Sequence, residues 1–199
     1  SEGQVMKVGV LTLQGAVSEH LNALRAVGVY ASAVKTKQEI SEIDGLVIPG
    51  GESTTMGRLI QKFELEQVIK ERINSGMPVY GTCAGMILLA KNIEGSDQYR
   101  LGILDITVVR NAFGRQIESK EIDLDVKGFD SPFHAVFIRA PIAKDVGQDV
   151  EVLAKVPEGV VFLRQGNVLA SAFHPELGSD LRVHKLFVDI INSFNQIRR

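Results

Sequence analysis

The chain has 199 residues, 45% of them apolar and 23% charged, with a formal charge of −2. That length builds a sizeable core without disulfide or metal staples, and the charge offers no basic excess for phosphates, so nucleic acid is not an expected partner. A single cysteine excludes an internal disulfide and fits a reducing cytoplasm, while no apolar run reaches the ~18 residues of a membrane span.

The N-terminal stretch has no signal-peptide pattern. Met6 is expected to be the natural start, with residues 1–5 a remnant ahead of one domain over 6–199. MKVGVLTL (6–13) reads as a buried strand, followed by a turn at Gln14 and Gly15. In AVSEHLNALRAVG (16–28), Val17, Leu21, Leu24 and Val27 recur at helical spacing, and Gly28 is a natural stop. ASAVK (31–35) is a short strand, and GLVIPGG (45–51) is a strand ending in Pro-Gly-Gly. STTMGRLIQKF (53–63) opens a helix with Ser53 or Thr54 as its cap. ELEQVIKERINSG (64–76) is a further helix closed by Gly76. MPVYGT (77–82) then reads as a strand and AGMILLAKNI (84–93) as a helix.

This alternation predicts a parallel sheet covered by helices. Beyond it, LDITVVR, KEIDLDVKG, HAVFIRAP, VEVLAKV, GVVFLRQG and NVLASAF are strand-like and closely spaced, and are expected to extend the sheet as antiparallel strands or hairpins. SDLRVHKLFVDIINSFNQI (179–197) closes the chain as an amphipathic helix capped by Ser179 or Asp180. The predicted fold is therefore α/β, a three-layer flavodoxin-like arrangement. Its open, mostly parallel sheet has helices on both faces and antiparallel strands added in the second half.

The lone cysteine lies in VYGTCAGMILLA (79–90), where a strand gives way to a helix between Gly81 and Gly85. In open parallel sheets reactive groups gather where strands end and loops enter helices. A Gly-x-Cys-x-Gly junction is the thiol form of a nucleophile elbow, a strained turn that tolerates only small neighbours. Such a turn lifts the sulfur clear of the sheet and sets it near a helix N-terminus. It also aims the backbone N–H of Ala84 at the place where a substrate oxyanion forms. The competing reading is that Cys83 is simply a small buried hydrophobe.

A thiol nucleophile needs a base, and the base an orienting group. His20 and His184 lie in helices and read as solvated positions, and His134 starts a strand and reads as a surface turn residue. His174 differs: it ends the apolar strand NVLASAF and sits in FHPEL with Glu176 two residues on. On an extended chain that spacing puts both side chains on one face, so Glu176 can hold one imidazole nitrogen while the other faces the thiol. Taken alone, the stretch reads rather as a surface turn with a chance ion pair.

Gly50 and Gly51 lie between strand and helix and can bring backbone amides up to a carbonyl or carboxylate. The loop lacks the Gly-Lys-Ser/Thr ending of a phosphate loop. LQGAVSEH lacks a dinucleotide fingerprint, and no Cys/His cluster has metal spacing, so no metal is expected.

These assembled stretches resemble the triad class of glutamine amidotransferases, and within it the glutaminase subunits of pyridoxal 5′-phosphate synthase. GTCAG and FHPE mark the broad class. LQGAVSEH, PGGESTTM, RNAFGRQ and FIRAP, in that order, point to the subfamily, and the resemblance runs from about Met6 to the last helix. It implies Cys83 as nucleophile, His174 as general base and acid, and Glu176 as orienting carboxylate. It further implies that Gly51, Glu52, Ser53, Arg110, Ile138 and Arg139 hold L-glutamine. Gly50, Gly51 and Ala84 would form the oxyanion hole, and no cofactor would take part. Arginine suits a carboxylate bidentately, although the residues alone favour surface ion pairs for Arg110 and Arg139.

The resemblance also implies a synthase subunit as partner. It receives the ammonia through a tunnel, builds pyridoxal 5′-phosphate from a pentose phosphate and a triose phosphate, and completes the oxyanion hole. Part of that interface is expected on LQGAVSEH, with Gln14 near the oxyanion loop. Two rivals stand beside this reading. One is a cysteine hydrolase of γ-glutamyl or peptide bonds, which an open pocket would favour over a cramped one closed by Arg110 and Arg139. The other is a non-catalytic assembly subunit, which a broken triad would mark.

Overall fold

A computed structural model describes residues 5–114 and 118–198. The parallel part is built from β1 (Lys7–Leu11), α1 (Val17–Val27), β2 (Tyr30–Val34), α2 (Lys37–Ser41), β3 (Gly45–Ile48), α3 (Ser53–Lys62), α4 (Glu66–Asn74), β4 (Val79–Thr82) and α5 (Ala84–Leu89). There follow β5 (Ala90–Ile93), β6 (Leu104–Val109), β7 (Ser119–Leu124), β8 (Phe133–Ile138), β9 (Ile142–Lys144), β10 (Glu151–Val156), β11 (Gly159–Gln165) and β12 (Val168–Ser171). A 3-10 turn over Pro175–Leu177 leads into α6 (Arg182–Arg198).

The main sheet runs β2-β1-β3-β4-β12-β11-β9-β6-β5, with β10 added beside β11. β2, β1, β3, β4 and β12 are mutually parallel. β11 and β9 turn the sheet antiparallel. Because the chain leaves β1 for β2 on one side and then crosses over to β3 on the other, a crevice opens at the carboxyl ends of these strands. Gln14 follows β1, Gly50 follows β3, Cys83 follows β4 and His174 follows β12, so one rim carries all four.

Helices cover both faces, and two neighbouring residues of β4 show it. The Tyr80 ring packs on Phe187 of α6, with centroids 5.8 Å apart. A Cβ on Gly81 would stand 2.6 Å from Leu89 of α5, on the opposite side. α1 ends as expected, with Gly28 left-handed at φ 101° and its N–H given to Leu24 and Arg25 carbonyls. Leu24 is wholly buried in the core, which contributes roughly 2 kcal/mol. Among the described residues no helix is long and apolar enough to cross a membrane.

Several expectations need correction. The apolar run 84–93 is not one helix: α5 stops at Leu89 and Ala90 begins β5, paired with β6. A short apolar run does not separate helix from strand by periodicity. β7 and β8 form a two-stranded ribbon of their own rather than extending the main sheet. The cap of α3 is neither Ser53 nor Thr54 but Glu52, whose carboxylate accepts the Thr55 N–H at 2.6 Å. At α6, Asp180 accepts the Arg182 N–H at 3.1 Å. The short α2 went unread, although Thr36 and Glu39 form a reciprocal capping box at its start.

Candidate functional site

Cys83 is a junction residue with φ 50° and ψ −103°, a conformation that costs a non-glycine residue about 1–3 kcal/mol. Both flanking glycines are dictated by close approach. A Cβ on Gly81 would meet the Gly85 carbonyl oxygen at 2.8 Å, and one on Gly85 would meet the Ile48 carbonyl oxygen at 2.1 Å. Backbone bonds hold the turn from two sides: Cys83 N–H donates to Ser171 O at 2.8 Å, and Ile87 N–H donates to Cys83 O at 3.1 Å. The thiol is 7% exposed and contacts the Ile138 carbonyl at 3.8 Å. Ala84 opens α5, where a helix leaves its first amides without intrahelical partners.

His174 follows β12, which pairs with β4 so that Ser171 stands opposite Thr82. That register carries the imidazole to the cysteine. Its Nδ1 lies 2.8 Å from Glu176 Oε2, and the ring lines the same cavity as Cys83. The His174–Glu176 contact forms across the 3-10 turn, not along an extended strand as expected. Burial disfavours the His174 cation, but Cys83 and Glu176 beside it favour the cation more, outweigh burial and push it up to about 10. The ring is thus held protonated at neutral pH. Gly50 backs it: a Cβ there would stand 2.7 Å from His174 Cε1 and 3.6 Å from Cys83 Cβ.

Every residue singled out from the sequence lines one cavity of about 930 Å³. Its two arginines are placed differently from the core of the site. Arg110 and Arg139 are exposed at the rim and do not close it, and Arg139 is left-handed at φ 44°. The cavity is therefore open rather than cramped. The peptide at Glu52 is tied on both sides: its N–H donates to Gln14 Oε1 at 2.6 Å while its carboxylate caps α3. That capping bond to Thr55 holds the Glu52 carboxyl below the usual range. Arg115 and Gln116, the end of RNAFGRQ, lie outside the described residues.

Sequence reasoning missed three residues. Gln98 links two predicted ones, accepting from Arg110 at 2.6 Å and donating to the Ser53 hydroxyl at 3.0 Å. It lies in an irregular segment with no periodic signal. His20 and His184 are not solvated but wholly buried, and they meet each other at 2.9 Å behind Glu176. A signal for them existed. His20 is three residues from Val17 and four from Leu24, and His184 is three from Phe187 and seven from Ile191, so both ride the apolar stripe of their helix. His134 lies on a strand, β8, and is exposed between Glu121 and Asp123. Among the described residues no three His, Cys, Asp or Glu side chains gather as a metal ion would need.

A cysteine sulfur, an imidazolium and a buried carboxylate, beside amides at a helix start and cationic side chains at a rim, define a site equipped for acyl transfer from an amide. The SNO glutamine amidotransferase family matches residues 10–193, and the chain belongs to that family. It is 56% identical over 191 residues to the pyridoxal 5′-phosphate synthase subunit PdxT of a Nocardioides species, covering 92% of this chain and 95% of that protein. It is 53% identical to the protein of the same name from Carboxydothermus hydrogenoformans, covering 92% and 97%. A crystal structure of a glutamine amidotransferase superposes with a TM-score of 0.88 at 48% identity, over 93% of this chain and 98% of that one. The structure of PurLQS from Thermotoga maritima, at a TM-score of 0.67 and 18% identity over 96% and 99%, shares the fold.

Proposed function

We propose that the chain is the glutaminase subunit of a pyridoxal 5′-phosphate synthase, hydrolysing L-glutamine to glutamate and ammonia. The observation that carries this reading is the Cys83–His174–Glu176 series on the rim of a cavity with two arginines. The names of the relatives supply the synthase.

In the proposed mechanism the Cys83 S–H proton has passed to His174, and the resulting thiolate attacks the carboxamide carbon of glutamine. The amides of Ala84 and Gly51, in the Gly50–Gly51 loop, hold the oxyanion. The His174 imidazolium gives its proton to the departing nitrogen, and ammonia leaves as the C–N bond breaks. A glutamyl thioester remains. Water, deprotonated by the now neutral His174, attacks it; the C–S bond breaks and glutamate departs. Glu176 orients His174 through Nδ1 throughout. Arg110 and Arg139 grip the free carboxylate of glutamine, and Gly51, Glu52, Ser53 and Ile138 shape its seat. No metal or cofactor enters these steps.

The synthase subunit docks on the rim beside LQGAVSEH and receives the ammonia. Gln14 supports this placement, because its side chain already holds the peptide that follows Gly51. Turnover stimulated by the synthase subunit and unaffected by Gln14→Ala would refute it. The deciding experiment is glutamate release from glutamine, with and without the synthase subunit, with Cys83→Ala as control. Turnover that needs both Cys83 and the partner is the expected result. The open cavity favours one second reading, a hydrolase of γ-glutamyl peptides. Hydrolysis of a γ-glutamyl dipeptide with none of glutamine would establish it instead.

A further inference from the structure

Glu176 spends Oε2 on His174, while Oε1 is buried and has no hydrogen-bond partner among the described residues. Nε2 of His20, from α1, faces Oε1 at 3.6 Å and lies 3.4 Å from the Thr82 hydroxyl. On its other side, Nδ1 of His20 meets Nε2 of His184, from α6, at 2.9 Å. Nδ1 of His184 again has no hydrogen-bond partner among the described residues. Tyr80 of β4 stands edge-on to both rings, with its hydroxyl spent on Ser171 of β12 at 2.6 Å. Burial pushes that phenol well up, so it stays neutral. The charged groups that face the pair are thus Glu176 and, beyond it, His174.

Burial first, then His184 and His174 as like charges, hold His20 well below its ordinary value. Burial alone brings His184 down to about 4. Both rings are neutral at pH 7, and a neutral imidazole carries one N–H. One hydrogen must fill the His20–His184 contact. Were it on His20 Nδ1, the lone pair at Nε2 would face the Glu176 carboxylate and the N–H of His184 would be stranded in the core. Placed on His184 Nε2, it leaves His20 with its N–H at Nε2, beside the Thr82 hydroxyl and Oε1, and of the two rings' nitrogens only the lone pair at His184 Nδ1 goes unmet. The second arrangement avoids both the like-signed contact and the unmet buried donor. Each N–H then points the same way, from His184 to His20 to Glu176, and from His174 to Glu176 on the other side.

We propose that His20, held in one tautomer by His184, is a positioning residue that holds the Glu176 carboxylate with its Oε2 aimed at Nδ1 of His174. At 3.6 Å the contact with Oε1 is charge to dipole rather than a full hydrogen bond. This deepens the reading of Cys83, His174 and Glu176 as the reacting centre and rests on it.

Three readouts test it. In wild-type protein labelled with 15N-histidine, NMR at about pH 7 to about 9 should show both His20 and His184 as neutral Nε2–H tautomers. An Nδ1–H tautomer at His20 overturns the proposal. His20→Leu removes the donor, and His20→Gln restores an N–H. With glutamine and the synthase subunit, His20→Leu should lower kcat about tenfold at constant KM, the order expected for a group that orients a reacting one.

The alkaline limb of the pH profile of Cys83 alkylation by iodoacetamide, where His174 gives up its proton and the reactivity of the sulfur changes, needs no synthase and should move about one pH unit lower in His20→Leu. His20→Gln should recover both. A lowered melting temperature with kcat and limb unchanged would make His20 a mere core residue and refute the proposal. Should His20→Leu not fold, the tautomers and His20→Gln still decide it. Wild-type protein that shows the predicted tautomers and alkylation limb but never turns over glutamine would sink the functional reading and leave the positioning intact.

Discussion

The carbonyl oxygen of Ile48 lies 2.1 Å from the place where a Cβ on Gly85 would stand. β3 therefore presses on the first turn of α5 with no space between, and the cysteine turn is wedged against the neighbouring strand. The obstacle is backbone and cannot swing aside. Gly85→Ala is expected to cost about 3 kcal/mol and to slow Cys83 alkylation. Gly178→Ala is the control, because a Cβ there meets nothing within 4 Å and its φ of −114° suits any residue. Equal melting temperatures for the two variants would refute the wedge.

Strain at Cys83 itself is measurable. Cys83→Ala and Cys83→Gly both remove the thiol, so both should abolish glutamine turnover. Only glycine relieves φ 50°. The relief of roughly 1–3 kcal/mol is partly offset by glycine's larger unfolded-state entropy, about 1 kcal/mol. Cys83→Gly is thus expected to be about 1 kcal/mol more stable than Cys83→Ala in urea unfolding. The reverse order would show that the turn is unstrained.

Gln98 holds Arg110 and Ser53 at once. Gln98→Ala should free the Arg110 side chain and leave the reacting groups untouched. The expected result is a KM for glutamine raised about fivefold, the equivalent of one lost hydrogen bond of ~1 kcal/mol, with kcat nearly unchanged. A fall in kcat at constant KM would place Gln98 elsewhere in the mechanism.

The buried histidines make stability depend on acid. His184 is pulled down to about 4, and His20 also well below 6.5. In the unfolded chain both regain ordinary values and bind protons that the folded state refuses. Their contribution is therefore complete above about pH 6.5 and is lost as pH falls toward 4, with His184 alone accounting for on the order of 3 kcal/mol. His174 runs the other way: pushed up to about 10, it contributes most below pH 6.5 and progressively less as pH rises toward 10. Melting temperature should already drop between about pH 6.5 and 5, above the range where carboxylates titrate. The drop should shrink in His184→Phe. A flat profile over that interval would contradict the buried neutral pair.

Much of this molecule was readable before any coordinates. Alternating strand and helix signals from Lys7 to Leu89 imply a parallel sheet, because a parallel neighbour requires a covered crossover. Glycines on either side of Cys83 imply a turn without room for side chains, and the two contacts at Gly81 and Gly85 are that lack of room. His174 and Glu176 are close in sequence, so their pairing is local. Such features depend on neighbours along the chain, and a sequence carries those directly.

What only the tertiary structure decided are relations across long separations. Whether Ala90 continues a helix or begins a strand depends on β6 lying beside it. Gln98 joins Ser53 and Arg110 because two loops converge, and no spacing encodes that. His20 and His184 are 164 positions apart. Helical spacing put each on an apolar stripe, but their hydrogen bond exists only because α1 and α6 pack on the same face of the sheet. Burial then made them neutral, since removing water penalises the charged imidazole. Local propensity and patterning can be read along one dimension. Desolvation and contact are set by what the fold brings near.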